Sequence, residues 1–395
     1  MPPLATVTLH PRGVARLCAG HPWVYRSDLA SAGGAAPGSL VRVADPRGKF
    51  LGSALYSSSS EIAIRLLATR ELAGTDDLLA LLRQRLLAAL EYRRRVVRDS
   101  DACRLVFSEA DELPGLIVDR YNEIVSLQAL TQAMDQPAVK DTVVATLVEA
   151  LSPASVVERV EPRIRELEKL PPRPSGPLHG DLARTVLTMN GVRFHYDALG
   201  GQKTGLFLDQ RENYAAAAQY ARGEALDVCC YQGGFSLHLA RAGCKVTGVD
   251  SSRPALEVAE QNAALNSLPE MEWIEANAFD LLKDYAAAGH RYDTIVLDPP
   301  PFARSKSVLA TALRGYKELN LRALKMLRPG GLLVTCSCSF HVGPGDFLEM
   351  LASAARDAHR SLRLVEQRTQ SKDHPIVPGI PETAYLKCLV IIVSG

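Results

Sequence analysis

The chain contains 395 residues, of which 47% are hydrophobic, and carries a formal net charge of +1 at pH 7, the composition of an ordinary soluble protein of two or three domains. No apolar run reaches the ~18 residues that a membrane span needs, and the first residues lack the basic and apolar segments of a signal peptide. We therefore expect a cytoplasmic protein without a membrane partner. The eight cysteines have no regular spacing, so we expect thiols rather than disulfides, and we predict no metal site.

The N-terminal segment is basic and has the pattern of a small β-barrel. Residues 1–70 hold eight Lys or Arg against three Asp or Glu, whereas residues 186–395 hold twenty-two of each. Such an excess fits contact with RNA phosphates and equally fits the solubility of a small domain. Short apolar stretches at 39–44, 50–57 and 62–67, separated by Pro, Gly and Ser, predict the strands of the barrel.

Two short motifs connect this segment with RNA binding. The sequences LHPRG at 9–13 and GHPWVY at 20–25 resemble the start of RNA-binding PUA domains. We therefore predict a PUA-like domain over residues 1–72. We expect Trp23 and Tyr25 mainly to fill its core.

Residues 73–190 are predicted to form a small α+β domain. Leucines at helical spacing predict a long amphipathic helix over about 76–97. The basic triplet at 93–95 ends this helix and fits either a helix C-terminus or an RNA contact. Two strands over 115–128 and a helix over 136–151 complete the domain, in which no chemistry is evident from the sequence.

Residues 191–395 are predicted to form a doubly wound α/β domain with a parallel sheet, because strand and helix patterns alternate from about Glu224. The first strand ends at Cys230, and the turn Tyr-Gln-Gly-Gly follows at 231–234. Asp250 ends the second strand. The interval from the glycine turn to Asp250 is close to that between the glycines and the ribose-binding acid of nucleotide-binding folds.

The glycine turn favours a cofactor without phosphate groups. The pattern Gly-x-Gly-x-x-Gly is absent, so S-adenosylmethionine (SAM) fits better than a dinucleotide, although another nucleotide is an alternative. Adjacent glycines let the backbone approach the methionine part, Asp250 accepts the ribose hydroxyls, and Asn277 lies near the adenine edge. The predicted cofactor-binding residues are Cys230, Gln232, Gly233, Gly234, Asp250, Ser251, Asn277, Ala278 and Asp298.

Two further strands, at 292–297 and 331–335, end in residues that suggest the reaction. Asp298 opens an Asp-Pro-Pro-Pro-Phe motif, and Cys336 and Cys338 close the second strand. If the strands are neighbours, ~5 Å apart, Asp298 and a cysteine flank one planar base. Methylation at C5 of cytosine needs this pair, because a thiolate must add to C6 while a carboxyl group stabilises the ring. Spacing places both cysteines on one side of a strand, and we predict Cys338 as the nucleophile because it is nearer the rim.

The whole chain resembles the bacterial 23S ribosomal RNA cytosine-C5 methyltransferases, which combine a PUA domain, a small α+β domain and a class I methyltransferase domain. The resemblance is carried by the segments GQKTGLFLDQR, QGGF, RGYK, SCS, DHP and YLK. It implies SAM as cofactor, 23S ribosomal RNA as partner, a homodimer, and Cys338 of the Ser-Cys-Ser segment as nucleophile. It also implies that Gln210 and the 201–211 loop border the cofactor. Three basic residues would then face RNA phosphates: Arg304, Lys306 and Lys317.

One position departs from the broader RNA cytosine-C5 methyltransferases. Many of them carry a second cysteine after the acidic-proline motif, where this chain has Pro301. Another base must then remove the C5 proton, and the candidates are Cys336, His341, His374 and a water held by Asp298.

Three alternatives compete with C5 methylation. An amino-group methyltransferase acting on guanine or adenine would use an acidic-Pro-Pro-aromatic motif, for which Phe302 comes one residue late. A ribosome-assembly factor would bind RNA and retain only the cofactor pocket. A zinc site built from the cysteine pairs at 229–230 and 336–338 lacks the usual ligand spacing.

Overall fold

The computed structural model describes residues 3–200, 205–303 and 305–394. The chain divides into two units, each assembled from segments that are distant in sequence. The first unit comprises Met1–Leu187, Tyr196–Gly205 and Lys372–Thr383, and the second comprises Thr188–His195, Leu206–Ser371 and Ala384–Gly395. This division differs from the sequence-based boundary at residue 190, because the chain returns to the first unit twice after that residue.

The N-terminal part of the first unit is a sheet with one short helix. Its elements are β1 (Thr6–Leu9), α1 (Pro11–Cys18), β2 (Trp23–Tyr25), β3 (Leu29–Ser31), β4 (Leu40–Ala44), β5 (Phe50–Tyr56) and β6 (Ile62–Ala68). The six strands are ordered β2-β6-β5-β4-β1-β3, with Val7 and Ile64 fully buried. The expectation that Trp23 and Tyr25 fill this core is wrong. Both are half-buried, because the alternation of side chains along β2 buries Val24 instead.

A second sheet with two long helices completes most of the first unit. Its elements are α2 (Thr75–Val96), β7 (Ala102–Phe107), β8 (Leu116–Tyr121), β9 (Ile124–Ala129), α3 (Pro137–Leu151), β10 (Ser155–Glu158), α4 (Pro162–Leu167) and β11 (Gly176–His179). The strands are ordered β11-β10-β9-β8-β7. Of the basic triplet, Arg93 is buried and donates to both carboxylate oxygens of Asp111, so it holds α2 in place. Arg94 and Arg95 are exposed and pair with Glu91.

The remaining elements belong mainly to the second unit. A two-stranded sheet, β12 (Arg184–Met189) and β13 (Val192–Asp197), precedes it. The following elements are α5 (Arg211–Tyr220), β14 (Glu224–Val228), α6 (Gly234–Arg241), β15 (Lys245–Asp250), α7 (Arg253–Leu265), β16 (Glu272–Glu275), α8 (Ala278–Ala288), β17 (Tyr292–Leu297), α9 (Leu309–Met326), β18 (Leu327–Ser337), α10 (Pro344–Asp357), β19 (Ser361–Arg368) and β20 (Lys387–Ser394). Within the described residues, no helix combines the length and hydropathy of a membrane span.

The seven strands β14 to β20 form one sheet in the order β16-β15-β14-β17-β18-β20-β19. Strands β14 to β18 are parallel, and β20 joins β18 in the antiparallel direction. The predicted doubly wound α/β fold is confirmed. Strand order reverses at β14, and ligands of open α/β sheets bind at the carboxyl ends of the strands beside such a point.

Two strand ends differ from the sequence-based expectation. Strand β14 ends at Val228, so Cys229 and Cys230 belong to the turn that follows it. Strand β18 ends at Ser337, so Cys338 lies beyond the strand. Both differences place chemically interesting side chains in loops, where backbone geometry, rather than strand alternation, decides their direction.

Candidate active site

The turn between β14 and α6 has an irregular backbone. Cys229 and Tyr231 adopt left-handed conformations, with φ of 65° and 50°, which residues other than glycine seldom take. Gly233 is also left-handed, at φ 86°. A Cβ atom on Gly234 would lie 2.4 Å from the Tyr214 ring, so this second glycine is required by packing. Two strained non-glycine residues in one turn are typical of a functional site.

This turn borders a small cavity. The cavity brings together four residues that the sequence predicts at the cofactor: Cys230, Gln232, Gly234 and Asp298. Sequence reasoning missed the aromatic residues that complete the wall: Phe207, Tyr214, Tyr231 and Phe235. Electron-rich rings are favourable neighbours for a cation such as the sulfonium of SAM. Two of these residues could have been found from the sequence, because Phe207 lies in the segment GQKTGLFLDQR and Tyr231 opens the glycine turn.

Asp250 lies at the end of β15, next to the turn. Its carboxylate accepts the backbone N–H of Tyr231 at 2.9 Å and that of Ser252 at 2.9 Å. These two bonds fix the orientation of the carboxylate and leave further lone pairs on each oxygen. Ser251 follows as an exposed residue. The arrangement suits a carboxylate that accepts a pair of ribose hydroxyls.

Asn277 lies at the start of α8, after the neighbouring strand β16. Its side-chain oxygen accepts the backbone N–H groups of Phe279 and Asp280 at 2.9 and 3.4 Å, so it caps the helix. Ala278 is the first residue of that helix. Since α8 begins at the same edge of the sheet as the glycine turn, these residues lie where the adenine end of the cofactor was predicted.

Asp298 follows β17, and its carboxyl group has a raised pKa. Its Oδ1 accepts the side-chain N–H of Gln210 at 2.9 Å. The Gln210 oxygen in turn accepts the side-chain N–H of Asn213 at 2.7 Å, which fixes the amide orientation. Burial, together with the negative charges of Asp209 and Asp227, raises the pKa of Asp298 to about 8. Asp298 is therefore mostly a neutral acid at pH 7.

The two cysteines of the Ser-Cys-Ser region have different environments. Cys338 is half-buried, and its Sγ lies 3.9 Å from the carbonyl oxygen of Pro299, next to Asp298. Burial and the negative charge of Asp298 raise the pKa of the Cys338 thiol to about 12. Cys336 is fully buried and faces Cys388 on β20, and burial raises its pKa well above the ordinary value. Of the two thiols, Cys338 is the accessible one.

Side chains from two other elements hold the loop that carries Cys338. The hydroxyl of Ser339 shares a hydrogen bond of 3.0 Å with Tyr316 and accepts the backbone N–H of Ala303 at 3.1 Å. Lys387 donates to the Ser339 carbonyl oxygen at 2.6 Å. Sequence reasoning missed both Tyr316 and Lys387 as site residues, although each lies in a segment that carries the family resemblance.

The structure separates the candidate bases for the C5 proton. Cys336 is inaccessible, as its full burial shows. His374 belongs to the first unit, where it is buried and hydrogen-bonded to Asp373 at 3.2 Å. His341 is half-buried, close behind Cys338 in the chain. The accessible candidates within the second unit are therefore His341 and a water held by Asp298.

Structural roles account for several other residues that the sequence singled out. Phe302 packs against Tyr316, with ring centroids 4.6 Å apart, and against Phe279 at 5.9 Å. Lys317 forms an ion pair of 2.7 Å with Asp357. Among the described residues, no three His, Cys, Asp or Glu side chains are grouped as metal ligands, so the zinc alternative has no geometric support.

The structure describes only part of the residues that were predicted to face RNA or to form the cofactor loop. Lys306 is exposed in a short turn before α9. Residues 201–204 of the predicted cofactor loop and the predicted phosphate contact Arg304 lie outside the described residues.

Comparison with known proteins identifies the family of the chain. A model of PUA-like domains matches residues 7–69, and a model of S-adenosylmethionine-dependent methyltransferases matches residues 173–392, more than half of the chain. Ribosomal RNA large subunit methyltransferase I of Photobacterium profundum is 37% identical over 380 residues, which cover 93% of this chain and 94% of that protein. The chain belongs to this family of SAM-dependent methyltransferases.

Further relatives agree with this assignment. Ribosomal RNA large subunit methyltransferase I of Shewanella frigidimarina is 37% identical over 381 residues, 94% of each chain. A solved structure from Streptococcus mutans, described as a SAM-dependent methyltransferase, has a TM-score of 0.82 at 18% identity and covers 98% of this chain and 100% of that one. A methyltransferase solved in complex with SAH has a TM-score of 0.83 at 19% identity, with the same coverage. The likeness confirms the fold, and SAM is the cofactor of this methyltransferase.

Proposed function

We propose that this methyltransferase forms 5-methylcytosine in large-subunit ribosomal RNA, through a covalent bond between Cys338 and C6 of the base. The observation that carries this proposal is the pairing of an accessible thiol with a neutral acid at adjacent strand ends. The Cys338 Sγ lies 3.9 Å from the carbonyl oxygen of the residue that follows Asp298. A nucleophile beside a proton donor is the pair that thiol addition to a pyrimidine requires.

The hydrogen bonds of Asp298 favour cytosine over uracil. Gln210 donates to Oδ1, so the proton of the neutral acid resides on Oδ2. A carboxyl O–H can donate to N3 of cytosine, which is an acceptor. In uracil N3 carries a hydrogen and would leave two donors facing each other. A mismatch of this kind leaves buried polar groups unpaired, and such mismatches reject substrates strongly.

The proposed reaction proceeds in four steps. The Cys338 thiol loses its proton to water, the sulfur forms a bond to C6, and the ring π electrons move toward N3, which takes the proton of Asp298. When bound beside the glycine turn, SAM would supply the electrophilic methyl group that the activated C5 takes up, and S-adenosylhomocysteine would be the leaving group. His341, or a water on the newly formed Asp298 carboxylate, then removes the C5 proton. The C5–C6 double bond re-forms as the sulfur–C6 bond breaks, and the N3 proton returns to Asp298.

Nucleoside mass spectrometry tests the proposal directly. Unmodified 23S ribosomal RNA is incubated with SAM and the wild-type, Cys338→Ala or Cys336→Ala protein. We expect new 5-methylcytidine with the wild type and with C336A, and a loss of at least ~1,000-fold with C338A, since the nucleophile is removed. Thermal melting of both variants controls for folding.

Two outcomes would overturn the proposal. Methylated guanosine or adenosine that is indifferent to C338A would establish an amino-group methyltransferase. Against that alternative, Phe302, which would have to stack on the base, packs against Tyr316. A protein that binds the RNA without methylating any nucleoside would act as an assembly factor.

The proposed substrate and oligomeric state follow from the relatives, the PUA-like domain and the family resemblance. The relatives are named as methyltransferases of large-subunit ribosomal RNA, and a PUA-like domain at residues 7–69 suits an RNA partner. The choice of 23S ribosomal RNA follows from these two points. The homodimer is proposed from the family resemblance alone, and analytical ultracentrifugation of the purified chain tests it.

A further inference from the structure

Lys387 is a buried lysine directly behind the proposed nucleophile. It is the first residue of β20 and lies opposite Ser337 of β18 in the antiparallel register. Lys387 as a whole is only 7% exposed. Its ammonium donates to the carbonyl oxygens of Ser339 at 2.6 Å and Tyr385 at 2.8 Å. The Ser339 bond ties it to the residue next to Cys338.

Among the described residues, the ammonium of Lys387 has no carboxylate partner, and its hydrogen bonds go to two carbonyl oxygens. Buried lysines are normally paired, because burial of a lone ammonium is unfavourable. Burial accordingly lowers the pKa of Lys387 to about 8. A negative charge on Cys338 would raise the pKa of Lys387, and the positive charge of Lys387 lowers the pKa of the Cys338 thiol. An uncompensated cation therefore lies within electrostatic reach of the thiol.

We propose that Lys387 is the counter-cation of the Cys338 thiolate, a positioning residue that stabilises this anion and fixes the loop through the Ser339 carbonyl. The inference rests on the proposed function, because it assigns a charge partner to its nucleophile. It also resolves a conflict in the site. Asp298 must stay protonated, which its neighbours Asp209 and Asp227 favour, but Asp209 also opposes ionisation of Cys338.

The ionisation of Cys338 reports on this arrangement without RNA or SAM. The titratable groups that influence Cys338 are Asp298, Asp209 and Lys387, and Tyr316 also interacts with it. Full-length protein is treated with iodoacetamide between about pH 6 and about pH 10, and alkylation of the Cys338 peptide is followed by mass spectrometry. The exposed Cys18 in the same sample is the internal reference.

The main variant is Lys387→Gln, which keeps two N–H donors for the Ser339 and Tyr385 carbonyls but removes the charge. We expect Cys338 to be alkylated roughly tenfold more slowly in K387Q than in the wild type below about pH 8, where Lys387 is charged. The Cys18 profile should not change. Tyr316→Phe is the matched control, since it removes a hydrogen bond to Ser339 without removing a charge. It should slow methyl transfer and leave the rate of Cys338 alkylation unchanged.

The proposal would be overturned if Cys338 were alkylated at the wild-type rate in K387Q, or if Y316F slowed its alkylation as much as K387Q does. If K387Q does not fold, Lys387→Arg decides. Arginine keeps its charge as pH rises through about 8, where Lys387 loses its own. K387R should therefore be alkylated faster than the wild type at alkaline pH, and equal rates would refute the counter-cation. Absence of 5-methylcytidine from the wild type would instead refute the proposed function, and the alkylation result would stand separately.

Discussion

The carboxyl ends of β14 to β16 and those of β17 and β18 belong to one sheet but differ in chemistry. At the first edge, polar side chains bond to backbone: Asp250 accepts two N–H groups and Asn277 caps a helix. At the second edge, an acid, a half-buried thiol and a buried lysine lie together, with pKa values shifted by burial. Groups satisfied by backbone suit binding, whereas clustered groups with perturbed pKa values suit reaction. We call them the binding edge and the reacting edge.

The largest effect expected in a test of this division comes from Asp298→Asn. The amide still offers an N–H to N3 of cytosine and still accepts from Gln210, but it has no proton to transfer. We expect single-turnover methylation at saturating SAM to fall by about 10²- to 10⁴-fold. Asp298 also lines the cavity, so the SAM dissociation constant is measured in parallel by calorimetry. The division fails if D298N weakens SAM binding more than it slows transfer.

D298N also tests how the methylation rate depends on pH. Asp298 is active when protonated, so the wild-type rate should decline on the alkaline side as pH rises through about 8. D298N cannot titrate and should lack this decline. A wild-type rate that continues to climb through this range, after correction for RNA stability, would contradict the neutral-acid role.

A smaller effect, of a different kind, is expected from Asp250→Ala at the binding edge. Loss of a charge-assisted acceptor for the ribose hydroxyls should raise the SAM dissociation constant by roughly 10- to 100-fold. The transfer rate at saturating SAM should stay within about threefold of the wild type, since the proposed role of Asp250 is to bind the ribose of the cofactor. Asp250→Asn is the matched control, because its oxygen can still accept the Tyr231 N–H. A rate loss at saturation as large as the affinity loss would break the comparison.

The sequence predicts the binding edge better than the reacting edge. The glycine turn and Asp250 are local signals, separated by one strand and one helix, and a parallel sheet brings such segments together. Asp298 and Cys338 were found for the same reason. Lys387 was missed because it enters through an antiparallel strand that follows a long excursion of the chain. Spacing alone does not separate Cys336 from Cys338, because it does not reveal that β18 ends between them; the prediction of Cys338 came from its position nearer the rim.

The smallest effect concerns stability, and it follows from the proton on Asp298. Its pKa of about 8 in the folded protein lies above the ordinary value of 3.8 for an aspartate, and the pKa of Asp227 is raised as well, to about 7. The fold therefore favours the protonated acids. Their contribution to stability is fully present below pH ~4 and is lost as pH rises through about 8. D298N removes one titration, so the wild type should lose at least ~1 kcal/mol more than D298N in the free energy of unfolding between about pH 5 and about pH 8.

Urea denaturation of the SAM-free protein at both pH values measures this difference. Cys338→Ala is the matched control, because it changes the same edge without removing an acid, and its loss should equal that of the wild type. Equal losses in D298N and the wild type would mean that Asp298 is ionised at neutral pH. The N3 donor would then be absent, and the contrast between the two edges would rest on geometry alone. The expected result would instead show that the reacting edge keeps a proton that the unfolded chain gives up, which makes the site ready for cytosine before any RNA binds.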